Sequence, residues 1–240
     1  MTDYATIERT LAEAVGYTRR PVAVAFRDAP PDGVRRFAGV VPSGCSFWRL
    51  AAAGGAFYTV PEDHHHCPIG SYTHGLALPP EGAAELERRL SLMGDLGYLR
   101  PDEVPQIHRL PRPPSVIVYA ALGDTPVDPD VVIFAGRPGR LMLLQEAALR
   151  AGLAARVPLA ARPTCMALPA ALACGLVASA GCVGNRVYTD LGEDELYLVV
   201  PGPPVPRIAE EARTIAAANR ALADYHRERR RTLAAEGPPA

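Results

Sequence analysis

The chain has 240 residues, of which 48% are hydrophobic and 21% are charged, as in an ordinary globular protein, and its formal net charge is −1. This charge argues against a general nucleic-acid or anionic-membrane surface, and no apolar run approaches the roughly 20 residues that a membrane helix needs. All 25 basic residues are Arg, which excludes the Schiff-base lysine of pyridoxal-phosphate chemistry and the lysine of a Walker-type phosphate loop.

Helices and strands are predicted along the whole chain. In the first half they are a helix over 4–16, a strand over 21–26, a short helix from 45 to about 53, a strand over 56–60 and an amphipathic helix over 81–96. In the second half they are strands over 116–120 and 131–135, helices over 138–151 and within 163–175, strands over 176–180 and 196–200, and a long helix over 204–235. The mixture predicts an α+β protein.

The N-terminus has no basic start followed by an apolar block, so it does not predict a secretory signal. We therefore expect a cytoplasmic protein, in which cysteines stay reduced and serve as metal ligands or catalytic groups more often than as disulfides. The basic run RERRR near the C-terminus is typical of a solvated helix end and predicts no nucleic-acid partner.

Two cysteine units resemble each other. In each, a cysteine precedes a short helix, a glycine and a strand, and a second cysteine then lies near a Tyr-Thr pair; the units hold Cys45 and Cys67, and Cys165 and Cys182. The similarity extends to Leu76–Pro79 and Leu198–Pro201, each a short β-like run followed by a helix. We predict a degenerate duplication into α/β halves, 1–100 and 116–240, joined by a proline-rich linker over 101–115 and packed around a shared site. The alternative is chance similarity in a chain rich in Ala, Gly and Pro.

The paired cysteines are candidate metal ligands. An approximate twofold between the halves would bring Cys45, Cys67, Cys165 and Cys182 together, and four thiolates suit a [4Fe–4S] cluster or a tetrahedral zinc ion. Their sulfurs would then lie within roughly 7 Å of one another. The alternative is four buried thiols that act as small hydrophobes. Cys174 has no counterpart in the other half, so we expect it in the core.

The loop before Cys67 and the segment after Cys182 hold candidate catalytic groups. His65, His66 and Glu62 could relay protons or, for the histidines, ligate a metal, and Arg186 could pair with an anionic substrate. An exposed polar loop and a structural salt bridge of Arg186 with a nearby carboxylate are the alternatives.

Four segments carry a resemblance to a known family: FYTVPEDHHHCPIG, DVVIFAGRPGRLMLL, RPTCMALPAAL and GCVGNRVYTDLGEDELYLVVPG. Together they resemble the family catalogued as domain of unknown function 169, over about residues 21–219. The resemblance implies a four-cysteine pattern at Cys45, Cys67, Cys165 and Cys182, and it implies no reaction.

Three functions remain open. The first is an iron–sulfur protein, either an electron carrier or an enzyme such as an oxidoreductase or lyase, with a small-molecule substrate or an electron-transfer partner. Four cysteine ligands favour electron transfer, whereas a cluster with one open iron would favour substrate activation. The second is a metal-free thiol enzyme with Cys67 as nucleophile and His65 or His66 as base. The third is a zinc-stabilised or small-ligand-binding module.

Overall fold

A computed structural model describes residues 2–153, 157–160 and 162–235. Among these residues, eight strands form one mixed sheet in the order β2-β3-β4-β1-β5-β8-β7-β6. The strands are β1 (Val22–Arg27), β2 (Arg35–Arg36), β3 (Ala56–Thr59), β4 (Val116–Ala121), β5 (Val131–Gly136), β6 (Leu159–Ala160), β7 (Val177–Ser179) and β8 (Leu196–Pro201). The two outermost pairs, β2/β3 and β6/β7, are parallel, and the other neighbours are antiparallel.

Helices cover both faces of the sheet. The α-helices are α1 (Tyr4–Val15), α2 (Ser46–Ala52), α3 (Pro68–His74), α4 (Pro80–Asp95), α5 (Pro138–Arg150), α6 (Ala167–Cys174), α7 (Val183–Thr189) and α8 (Val205–Ala235). Short 3-10 helices lie at Pro61–His64, Pro101–Gln106, Leu122–Asp124 and Thr164–Met166. None of the described helices combines the length and the apolar composition needed to cross a membrane.

The central strands are apolar at successive positions because each of their faces packs on helices. In β1, Val22 and Val24 point into the core under α2 and α6, and Ala23 points into the core under α1, α5 and α8. In β5, Ile133 points into the core under α2 and α6, and Phe134 points into the core under α1, α5 and α8. This follows from the two-residue period of a strand, and it makes the sheet the middle layer of the protein.

The α+β class is confirmed, and the predicted strands and long helices are found. Two seven-residue helices that are not predicted from the sequence, α3 and α7, follow Cys67 and Cys182. Such short segments are not stable helices by themselves, so tertiary contacts fix them. The β-like run expected at 76–79 has no strand.

The proline-rich stretch is not a simple connection. It contains the 3-10 helix Pro101–Gln106, and the strand after it, β4, pairs with β1 on one side and β3 on the other. The predicted division at 101–115 places β4 in the second half of the chain. Both of its neighbours in the sheet, β1 and β3, come from the first half.

Gly202 offers a test of how tightly the central strands pack. A Cβ atom at this position would lie 1.7 Å from the backbone oxygen of Pro129, and the Gly202 amide already donates to the Asp130 carbonyl at 2.7 Å. Since backbone atoms cannot give way cheaply, we expect Gly202→Ala to lower the free energy of unfolding by more than about 3 kcal/mol in urea titrations.

The matched control is Gly139→Ala, in the first turn of α5. A Cβ atom there meets nothing within 4 Å among the described residues. This variant should be as stable as the parent or slightly more stable, because Ala favours a helix over Gly. Equal stability of the two variants would contradict the expected clash at Gly202.

Candidate functional site

Two of the paired cysteines lie in the turns that lead into helices on one face of the sheet. Cys45 immediately precedes α2 and is 8% exposed, and its Sγ lies 2.7 Å from the hydroxyl of Ser43. Cys165 lies in the 3-10 turn that leads into α6. Each side chain is therefore held by a turn that is continuous with a packed helix.

The other two cysteines occupy the N-cap positions of α3 and α7. Cys67 precedes α3, and Gly70 is needed one turn later because a Cβ atom there would lie 2.9 Å from the Cys67 sulfur. Cys182 precedes α7, and its amide donates to the hydroxyl of Thr164 at 2.6 Å. This last bond joins the turns that carry Cys165 and Cys182.

All four of these cysteines line one cavity of about 530 Å³. Helix α2 packs on α7, and α3 packs on the turn that carries Cys165. The Cys165 sulfur also lies 4.0 Å from the carbonyl oxygen of Ile69 in α3. The cavity wall that these four residues form is called the cysteine wall below.

The thiols of the cysteine wall influence one another. Burial raises the pKa of Cys45 to about 11, contacts with Ser43 and Asn185 lower it, and nearby Cys67 and Cys182 add smaller rises. Burial also raises the pKa of Cys165 well above its usual value, with a further rise from Cys67 and then from Cys45 and Cys182. Because each thiolate opposes ionisation of the next, the group favours a cationic centre as its partner.

Two buried polar side chains near the cysteines have polar atoms without hydrogen-bond partners among the described residues. Asn185 lines the cavity and is 1% exposed; its side chain lies near Cys45 and Tyr197 and lowers the pKa of both, but neither amide atom makes a hydrogen bond of normal geometry to a described residue. Tyr119 is fully buried with an unpartnered hydroxyl, and its pKa is raised by burial and then by Cys67, Cys165 and Cys45. Unpartnered buried donors are costly, so they favour an acceptor at this place.

Sequence reasoning gave these two residues no role. Asn185 could have been noted from its position three residues after Cys182. Tyr119 lies inside the apolar strand β4, where nothing in the local pattern indicates a site.

A second part of the cavity is apolar. It is formed by α4 and the segment after it, and its residues, here named the apolar wall, are Leu86, Leu90, Met93, Leu99, Val104 and Ile107. Helix α4 is amphipathic, but none of its residues is fully buried. Its apolar face therefore lines the cavity and contributes little to the hydrophobic core.

The histidine loop lies outside the cavity. Among the described residues that line it, none is His65, His66 or Glu62. The loop folds into the 3-10 helix Pro61–His64, in which Asp63 accepts the Val60 amide and pairs with Arg36. Among the described residues, the predicted acid–base groups therefore do not face the cavity that the cysteines line.

Arg186 also does not line the cavity. Its guanidinium donates to the backbone carbonyls of Ala180, Gly192 and Glu195, and so fixes the loop after α7. No salt bridge of Arg186 with a nearby carboxylate is found among the described residues, and the described contacts of its guanidinium are all to backbone carbonyls.

Cys174 is exposed at the end of α6, so its expected core position is wrong. The apolar sequence around it misled the prediction because the helix turns this residue towards solvent. It does not line the cavity that the other four cysteines share.

The fold and the site define an α+β protein with a four-cysteine cavity on one face of its sheet. The chain belongs to the family named domain of unknown function 169, described as uncharacterised ArCR, whose model matches residues 10–211. No curated protein and no solved structure matches the chain.

A buried pair formed by His64 and the last residue of α3, His74, predicts that stability falls in acid. The rings of His64 and His74 lie 5.9 Å apart, and burial lowers their pKa values to about 3 and about 4. Below a pH of about 6.5 these histidines become protonated in the unfolded chain but stay neutral in the folded protein. The free energy of unfolding therefore falls as the pH drops. Between pH 7 and pH 5 each histidine should cost about 2 kcal/mol.

The variant His74→Phe isolates one of these contributions. Both ring nitrogens of His74 lack partners among the described residues, so an apolar ring should be tolerated. Urea titrations measure how far the free energy of unfolding falls between pH 7 and pH 5. This fall should be smaller by about 2 kcal/mol in the variant than in the parent protein. An equal loss in both proteins would contradict the assignment.

Cysteine exposure predicts an order of alkylation. In reduced, metal-free protein, iodoacetamide should modify exposed Cys174 first and Cys45 last, because Cys45 is buried and its pKa is raised to about 11. Peptide mass spectrometry over time measures the order. In Cys174→Ser the fastest phase should disappear, and rapid labelling of Cys45 would show that the site is open.

Proposed function

We propose that this protein binds a [4Fe–4S] cluster with Cys45, Cys67, Cys165 and Cys182 as ligands, their sulfurs lying within roughly 7 Å of one another. The observation that carries the proposal is the shared cavity, which is lined by all four of these cysteines and not by Cys174. The residues come from distant parts of the chain, so their meeting is a property of the fold.

The chemistry of the cysteine wall supports this assignment. Thiol ligands bind as thiolates, and a cationic cluster core would offset the burial and the smaller mutual repulsion that raise the pKa values of Cys45 and Cys165. The Asn185 amide and the Tyr119 hydroxyl are suited to donate to cluster or cysteine sulfurs, an interaction that tunes reduction potentials.

We propose a cluster in preference to a zinc ion. Among the described side chains, no group of three or more His, Cys, Asp and Glu residues is close enough to hold a metal ion. Zinc requires its four sulfurs about 2.3 Å from one centre. A cubane cluster is larger than a single ion, so it would fill more of the cavity that the four cysteines line.

An internal duplication, also a proposal, explains how the four cysteines meet. From its centre outwards the sheet consists of two sets of four strands, β1-β4-β3-β2 and β5-β8-β7-β6. In each set the first two pairs of neighbouring strands are antiparallel and the outermost pair is parallel. Strands β1 and β5 pair antiparallel at the centre, as a twofold axis requires. The repeat boundary then falls after β4, near residue 121, and not at 101–115.

The helices fit the same duplication. Both α3 and α7 have seven residues, begin after a cysteine and end at a left-handed residue, Gly75 with φ of 69° and Asp190 with φ of 53°. The contacts are reciprocal, since the unit of Cys45 packs on that of Cys182 and the unit of Cys67 packs on that of Cys165. A twofold between equivalent halves produces this arrangement.

A bound cluster would supply one-electron transfer, or Lewis acidity if one iron lacked a cysteine ligand. The protein's own residues would hold the cluster from both halves and exclude water from its buried side with Tyr119 and the α2 core. The adjoining cavity favours a small molecule as reaction partner over electron transfer alone. We place the protein in the cytoplasm, where its thiols remain reduced.

The thiol-enzyme hypothesis has less support. A nucleophilic Cys67 needs a base within hydrogen-bond reach. His65 and His66 do not line the cavity among the described residues, and the imidazole of His64 is bonded to Thr59 at 2.8 Å.

The cluster is tested by anaerobic purification with iron and sulfide analysis. We expect brown protein with about four iron and four sulfide per chain. Cys→Ser changes at each of the four ligand positions should lower cluster content severalfold, because each removes a thiolate ligand.

The matched control is Cys174→Ser, the same change at an exposed cysteine away from the cavity. It should keep full iron and sulfide content. Colourless protein after anaerobic reconstitution, or stoichiometric zinc in its place, would overturn the proposal. Cluster loss in the Cys174 variant alone would contradict the ligand set.

A further inference from the structure

The cavity extends from the cysteine wall to the apolar wall. Its volume of about 530 Å³ falls in the range of small-molecule sites. The cysteine wall and the apolar wall both border it, so a molecule held against α4 would sit beside the cysteines. Since the apolar wall offers almost no polar partner, the body of that molecule must be hydrophobic.

The charged groups of the cavity all have one sign. Among the described residues that line it, the charged side chains are Arg89 and Arg162, and no Asp or Glu joins them. A ligand with a cationic group would meet two guanidiniums without a carboxylate. An anionic group would find complementary charge.

The geometry of both arginines leaves them able to bind an anion. Arg89 donates through Nε to Glu85 at 2.6 Å, and Arg162 donates through Nη2 to Glu103 at 2.9 Å. The Arg162 guanidinium also stacks 4.7 Å above the Tyr98 ring, which fixes its plane. Each described hydrogen bond uses one nitrogen, and a guanidinium has five N–H donors.

The two glutamates are positioning residues. They orient the guanidiniums from outside the cavity lining and are themselves partly exposed. A carboxylate ligand would therefore meet pre-oriented donors, the arrangement in which arginine recognises carboxylates best.

We propose that the cavity binds a hydrophobic carboxylate, with its apolar body along α4 and its carboxylate at Arg89 and Arg162. This inference deepens the proposed function, because it names the substrate class of the same cavity, and the statement that the ligand lies beside a cluster rests on that function. The binding of the carboxylate itself depends only on the apolar wall and the arginines.

A pair of probes with equal bodies and opposite charges tests the proposal. Fluorescence titrations of the full chain, with and without reconstituted cluster, would compare 2-naphthoate with 2-naphthylmethylammonium. We expect 2-naphthoate to bind at least about tenfold more tightly, as one charge-assisted hydrogen bond suggests. Equal affinities, tighter binding of the cation, or no binding of 2-naphthoate would overturn the proposal.

Variants locate the two parts of the site. Leu90→Glu puts a negative charge on the apolar wall and should weaken 2-naphthoate binding by about tenfold or more. The same change at Leu222, which is 59% exposed on α8 and does not line the cavity, should leave affinity unchanged. The double variant Arg89→Met, Arg162→Met should remove the preference for the anion. An unchanged preference would contradict the arginine assignment.

Iron and sulfide analysis of the same samples separates the two proposals. Selective 2-naphthoate binding by protein that never loads a cluster would refute the cluster and leave the carboxylate site standing. A loaded cluster without selective binding would refute the carboxylate site alone. Circular dichroism checks that each variant is folded.

Discussion

The antiparallel pairing of β1 with β5 is the constraint on which the site depends. It joins the two sets of strands through three residue pairs, Val22 with Ile133, Ala23 with Val132 and Val24 with Val131. Beyond these pairs the Asp130 carboxylate accepts the Phe26 amide at 2.6 Å and pairs with Arg27. Because the cysteine units sit on strands and helices of both sets, a slip at this seam would separate them.

The sequence was informative where local pattern and tertiary environment agree. Strands such as β5 were predictable because burial on both faces leaves an uninterrupted apolar run. The four cysteines were selected by the positions that they share between two similar units, a relation that survives without knowledge of the fold. Tertiary contacts decided the rest: α3 and α7 are too short to be predicted from propensity, and the orientation of α6 exposes Cys174.

The cavity was the least predictable feature. Its apolar wall comes from an amphipathic helix whose pattern is the same as that of a core-packing helix. Tyr119 lies within an ordinary strand pattern. The histidine loop attracted attention because of its chemistry, but its backbone turns into a 3-10 helix that buries His64 and leaves His65 and His66 outside the cavity lining. Residue type predicts catalytic groups in this loop, whereas the described residues that line the cavity come from other segments.

Helix α4 lines the cavity but contributes little to the hydrophobic core. None of its residues is fully buried, whereas the sheet and its other helices hold the core. Substitutions at Leu86, Leu90 or Met93 therefore reshape one wall without opening a hole in the core. If the cavity binds a ligand as proposed, its selectivity can change through substitutions in this one helix while the cysteines stay fixed.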